Sequence, residues 1–235
     1  MMYPYGEFLL DFDNKHGGLT HHNSAANTRA AIMIESRPTY FLPMVLRNAM
    51  FFLGPSWNLH ILCGELSEPF IRRTTEAWSV SIIKLNNLYR LTSSEYSALL
   101  TARQFWERFT EEKLPIFQSD CILAGSNIDE FIQYDFIGAP AGPFDGQFII
   151  NGGLSLRTRS TMIECLTRTV FGGQPEDVFF TQALRQIGGA LPDFDTACRF
   201  SVESIYKDHP VGVHGTDKCY HSVEVAEKII RTIRY

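Results

Sequence analysis

The sequence predicts an α/β protein, a mostly parallel central sheet with helices on both faces. Three observations carry this. Residues 30–34 (AAIMI), 57–63 (WNLHILC) and 80–85 (VSIIKL) are short apolar runs of the kind that form strands buried on both faces. Residues 41–53 and 69–77, between those runs, read as helices, so the opening alternates β-α-β-α-β, which predicts parallel strands joined by right-handed crossovers. Finally, 235 residues that are 45% hydrophobic and 20% charged suffice for a sizeable core.

Residues 1–28 precede this pattern. They are rich in polar and glycine positions (Gly17, Gly18, His21, His22, Asn23) and are expected to form a partly ordered extension, with His16, His21 and His22 as surface polar groups. After the third strand, Thr92-Ser93-Ser94-Glu95 fits a capping box. One long helix is expected behind it, with Tyr96, Leu99, Leu100, Trp106 and Phe109 on its core face. Residues 114–118 form another expected strand, followed by a short helix at 128–133 and a short strand at 134–137. The glycine- and proline-rich stretch 138–153 reads as loops near a ligand. A brief strand at 154–157, helices at 160–170 and 176–187, a strand at 200–202 and an amphipathic helix at 223–233 complete the chain. The second of those helices should stop at Gly188-Gly189.

Several function classes are disfavoured. Net charge is −5, with 21 basic and 26 acidic residues, so nothing draws the whole chain to nucleic acid or anionic lipid. The cysteines (63, 121, 165, 198, 219) are odd in number and lack a CxxC pair. They are expected as small buried hydrophobes in a reducing compartment, not as disulfides or a zinc ribbon. The N-terminus lacks the basic-then-apolar pattern of a signal peptide, and no run approaches the ~20 apolar residues of a membrane span. A cytoplasmic location is therefore expected. Neither GxSxG, HExxH, GxGxxG nor a Walker loop is present.

Three segments can carry chemistry. Asp120 follows a strand-like run and would present a carboxylate at the sheet edge, the hard oxygen donor that Mg²⁺ or Mn²⁺ shares with phosphates. In Asn151-Gly152-Gly153-Leu154-Ser155-Leu156-Arg157, paired glycines permit close backbone approach and Arg157 offers a bidentate donor. An entry turn with surface arginines explains the same pattern equally well. Glu176 and Asp177 open a helix, where acids favour the positive end of its dipole, or alternatively supply a general base. His214 lies in a glycine-rich coil, and Glu35, Ser36 and Arg37 end the first strand, at the edge where open α/β sheets bind ligands.

Taken in order, FQSD, YDFIGAP, NGGLSLRTR, EDVFF and FSVES…GVH resemble a glycosyltransferase-like family described as a domain of unknown function, and beyond it the GT-A nucleotide-sugar transferases. The resemblance runs from about residue 31 to residue 214. It implies one GT-A-like domain over 29–235, with a nucleotide-binding half (29–137) and an acceptor-binding half (138–235). It also implies transfer of a sugar from a nucleotide-sugar, with a UDP-sugar the expected donor, to a hydroxyl on a glycan, protein or small molecule, assisted by Mn²⁺ or Mg²⁺. By the same resemblance Asp120 matches the metal-binding acid of a DxD motif, although Gln118 replaces the first acid, and His214 matches a late metal ligand. Glu35, Ser36, Arg37, Gln118, Ser119, Gly152, Gly153 and Arg157 fall to the donor, and Asp177, with Glu176 second, to the base of an inverting route. A non-catalytic nucleotide-sugar or glycan binder is the alternative, and a nucleotidyltransferase is a third, for which an activating Gly- and Lys-rich loop is lacking.

Overall fold

A computed structural model of the chain describes residues 4–144, 147–218 and 220–233. The first element is a helix, α1 (Pro4–His16), which buries Tyr5, Phe8, Leu9 and Phe12 at helical spacing. This corrects the expectation of a partly ordered arm: four large apolar side chains on one face outweigh the polar composition around them. His21 likewise is not surface decoration. It is only 5% exposed and packs edge-on against Trp78, with ring centroids 6.0 Å apart.

The alternating opening is present as β1 (Arg29–Glu35), α2 (Leu42–Leu53), β2 (Trp57–Cys63), α3 (Glu68–Thr74) and β3 (Ser81–Lys84). Next come α4 (Ser93–Leu100) and α5 (Arg103–Glu107), where one long helix was expected. The capping box at Thr92 and Glu95 is formed, but the helix breaks at Thr101 and Ala102, and Trp106 turns its Nε1 back to donate to the Leu100 carbonyl at 2.7 Å. β4 (Lys113–Phe117), β5 (Ile122–Leu123) and a short 3-10 helix (Asn127–Phe131) lead into β6 (Phe136–Phe144) and β7 (Gln147–Thr158). The stretch expected as loops is therefore largely an antiparallel strand pair; Asp145 and Gly146 lie outside the described residues. Helices α6 (Arg159–Arg168) and α7 (Glu176–Ile187) follow, and Gly188 ends α7 in the left-handed conformation at φ 75°. Last are α8 (Phe194–Phe200), β8 (Ser201–Val202), β9 (Gly212–Val213) and α9 (Val223–Thr232). α8 was not expected, although Asp193 caps it by accepting from the Thr196 amide at 2.7 Å.

The main sheet has the order β3-β2-β1-β4-β7-β6; β3 to β4 are parallel, while β7 and β6 run antiparallel. Alternate residues of β1 enter two different cores. Ala31 and Met33 pack with Phe8, Phe12, Leu42, Leu46 and Ile229 beneath α1, α2 and α9. Ala30, Ile32 and Ile34 pack with Phe105, Trp106, Met162, Phe179 and Phe180 beneath α5, α6 and α7. Cys63, Cys121, Cys165 and Cys198 are buried free thiols, as expected; Cys219 lies outside the described residues. No helix among the described residues is long and apolar enough to cross a membrane.

Two features of this topology position the site. The chain leaves β1 for β2 and β3 on one side, then returns to β4 on the other. That reversal opens a crevice beyond the carboxyl ends of β1 and β4. A second, three-stranded sheet, β5-β9-β8, pairs Ile122 with Val213 and Val202 with Val213. It carries Asp120, Glu203 and His214, which are far apart in sequence, to neighbouring strand ends.

Candidate site at the carboxyl edge of the sheet

A cleft of about 650 Å³ opens at this switch point. It is lined by nine of the twelve residues singled out from sequence: Glu35, Ser36, Arg37, Gln118, Gly152, Gly153, Glu176, Asp177 and His214. Ser119, Asp120 and Arg157 sit behind that lining. Residues from the turn before α4 and from α4 itself (Arg90, Thr92, Tyr96, Ser97) complete the wall, together with Asn151 and Lys218. Of these, Thr92 was expected only as a helix cap and Tyr96 only as a core aromatic, and the others had no distinguishing pattern.

At the end of β1, the buried Glu35 carboxylate accepts from the Arg37 backbone amide and Nε (both 2.9 Å), from Arg37 Nη2 at 3.1 Å, and from the Ser119 hydroxyl. Glu35 thus ties β1 to the loop after β4 and aims Arg37, whose side chain is half-exposed, at the cleft. The hydrogen bond to Glu35 raises the Arg37 pKa above its ordinary value. Ser36 Oγ accepts from the Leu91 amide at 2.9 Å, which fixes the turn before α4.

Arg157, expected at the donor, is held inside the core instead of standing free in the cleft. Its side chain is 0% exposed, and Nη1 and Nη2 donate to Glu176 Oε2 and Oε1 at 2.7 and 2.9 Å. Nε donates to Ser155 Oγ at 3.0 Å, and the guanidinium lies 4.4 Å from the Phe136 ring centroid. The sequence pattern suggested a free guanidinium because it does not reveal that Ser155 and Arg157 face inward on β7. This pair also removes Glu176 as a base: both of its oxygens are held, and breaking a buried pair of this kind costs about 3–5 kcal/mol.

Asp177, one residue on, is free of such a partner. Its Oδ1 accepts from the Val178 amide at 2.8 Å and it lines the cleft. Burial, then the nearby Glu176 charge, pushes its pKa from 3.8 up to about 6. That is the range in which a carboxylate serves as a general base near neutrality.

The paired glycines answer a packing need different from the one expected. β7 bulges between its pairings Gly138–Ser155 and Pro140–Ile150, so Asn151, Gly152 and Gly153 reach the cleft. A Cβ on Gly152 would lie 2.1 Å from Glu176 Oε1, and one on Gly153 would lie 2.1 Å from His214 Nε2. The bare backbone makes room for the site's own side chains.

Asp120 and His214 are brought together. His214 Nε2 lies 3.6 Å from Asp120 Oδ1 and 3.4 Å from Gln118 Oε1, while Nδ1 lies 3.1 Å from Glu203 Oε1. His214 is 4% exposed. Asp120 Oδ1 is buried without a hydrogen-bond donor. Cys121 Sγ is close enough to complete a three-residue cluster, yet burial holds its thiol well above its ordinary pKa and it is 3.3 Å from the Gly153 carbonyl. Lys218 Nζ sits 3.5 Å from Asp120 Oδ2. Asp217 is raised in pKa by burial and by the charge of Asp120. Glu203 escaped sequence reasoning although it lies in the FSVES segment, because no role was assigned to it there, and Lys218 because it lies in no motif.

An open, mostly parallel α/β sheet with a polar cleft at its topological switch, walled by acids, a histidine and an arginine, defines an α/β protein with a candidate ligand site. The chain belongs to the family described as "Protein of unknown function (DUF5672)", whose model matches residues 79–214. No curated protein matches it.

Proposed function

We propose that this protein is a GT-A-like glycosyltransferase that moves a sugar from a nucleotide-sugar to an acceptor hydroxyl, with inversion and with assistance from a divalent cation. The observation that carries the proposal is Asp177: an unpaired carboxylate with a pKa of about 6, facing the same cleft as His214, Arg37 and Gln118. A hydroxyl bound beside Asp177 loses its proton to that carboxylate as its oxygen bonds to the anomeric carbon, and the bond from that carbon to the diphosphate oxygen breaks. Arg37, aimed by Glu35, meets the departing negative charge. Arg157 holds Glu176 in place, and the two charges act on Asp177 in opposite senses, Glu176 raising its pKa and Arg157 lowering it.

The residues present fit a divalent ion. Asp120 supplies a carboxylate oxygen that lacks a hydrogen-bond donor and His214 an imidazole nitrogen, while Glu203 Oε1 lies 3.1 Å from the second ring nitrogen without an aligned hydrogen bond to it. When bound, Mn²⁺ or Mg²⁺ would supply charge stabilisation for the diphosphate. A neutral Cys121 thiol is a poor ligand for either.

A thermal-shift titration with UDP, GDP and CMP and their sugars, with and without Mn²⁺, tests the proposal. A ligand at a hundred times its Kd stabilises the folded state by about 2.7 kcal/mol. A Mn²⁺-dependent shift with one nucleotide class is expected; the absence of a shift with all of them sinks the reading. Gln118, in place of a second acid, favours the alternative of a binder that does not turn over. Donor binding without sugar transfer or donor hydrolysis would select that alternative.

A further inference from the structure

Neither Asp120 nor Glu203 faces the cleft directly; Lys218 does. Its ammonium lies between them, 3.5 Å from Asp120 Oδ2 and 3.9 Å from Glu203 Oε1. The Asp120 carboxylate is therefore divided, one oxygen turned to His214 and the other to Lys218. The turn carrying Lys218 is fastened to the same acid. Thr216 donates from its amide (3.1 Å) and hydroxyl (2.9 Å) to the Asp120 carbonyl, and the Lys218 amide donates to Gly215 O at 3.0 Å. An ion held by Asp120 and His214 would share the Asp120 carboxylate with this ammonium, and two cations that close in a part-buried site repel strongly.

We infer that Lys218 is a built-in cation that competes with a divalent metal for the Asp120 carboxylate and, when no metal is bound, itself meets the diphosphate. The second half rests on the transferase reading. The lysine is a compact point charge on a flexible stem, suited to either duty. Gln118 agrees with this: with one acid fewer, the site has less charge to hold a dication against an internal competitor.

Mn²⁺ alone, titrated into the full chain and followed by the electron paramagnetic resonance signal of the free ion, tests the competition. Lys218→Met should bind Mn²⁺ at least about tenfold more tightly than wild type. Arg90→Met, which removes a positive charge elsewhere in the cleft, should change the affinity by less than about threefold. Equal Mn²⁺ affinity in wild type and Lys218→Met, binding by neither, or an equal gain in Arg90→Met would overturn the inference. UDP titrated by calorimetry in EDTA tests the diphosphate half. Lys218→Met should lose at least about tenfold in affinity, with Mn²⁺ restoring it; unchanged affinity in EDTA overturns that half. If UDP binds neither protein, the transferase reading fails, while the Mn²⁺ titration still decides the role of Lys218.

Discussion

Asp177 shows how position sets the chemistry of a side chain. Because its carboxyl is held at about 6 instead of 3.8, ionising it in the folded protein costs free energy. The cost is absent below the unfolded-state pKa, grows as pH rises towards 6, and is constant above that. Asp177→Asn should therefore stabilise the fold at pH 7.5 by about 2 kcal/mol, allowing for residual hydration, and the gain should vanish near pH 4. Urea denaturation at the two pH values checks this. The same titration should give wild-type kcat/KM a rising limb centred near pH 6, and Asp177→Asn should abolish transfer. At Gly153 the prediction concerns space. A Cβ there overlaps the His214 ring, so Gly153→Ala should lower Mn²⁺ affinity at least about tenfold, at a stability cost of about 1–3 kcal/mol. Unaltered Mn²⁺ binding would show that the ring does not ligate.

Among elements, β1 was fully legible because its apolar run is continuous, and α7 because Pro175 and Gly188 punctuate its ends. The capping box at Thr92 was legible too. Thr92 Oγ1 accepts from the Glu95 amide at 3.2 Å, and Glu95 Oε2 accepts from the Thr92 amide at 2.8 Å. Since α4 sets Tyr96 and Ser97 in the cleft wall, Thr92→Ala should cost about 1 kcal/mol and loosen that wall. Thermal melting of the variant, with and without nucleotide, measures both effects. The stretch 138–153 was misread because glycine and proline signal turns, yet β6 tolerates them at the edge of the sheet and β7 uses its glycines in a bulge. α1 was missed because Tyr5, Phe8, Leu9 and Phe12 form a narrow stripe in a polar segment.

For the whole molecule, α1 is a structural member of the main core. Phe12 is 0% exposed and meets Phe51 edge-on at 5.4 Å, and the Tyr5 hydroxyl is 2.9 Å from His221 Nδ1, near the start of α9. Phe12→Ala should cost about 3–5 kcal/mol, read by urea denaturation, although α1 contributes nothing to the cleft. A loss below about 1 kcal/mol would return the segment to the status of an appendage. The site, by contrast, is assembled where the two sheets meet. The main sheet supplies the ends of β1 and β4 and the β7 bulge, and the small sheet supplies Glu203 and His214.

The sequence by itself determined the α/β class, the parallel opening, the ends of α7 and nine of the residues lining the cleft. Those rest on local signals: apolar periodicity, caps, and acids or glycines at strand and helix ends. Only the tertiary structure decided which of the two acids is free, since the Arg157 bond that occupies Glu176 and leaves Asp177 unpaired spans 19 residues and is formed inside the core. It alone joined Asp120 to His214 across the small sheet and set Lys218 between the acids. Contacts of that kind depend on which strands pair and which faces turn inward, and no local pattern encodes either.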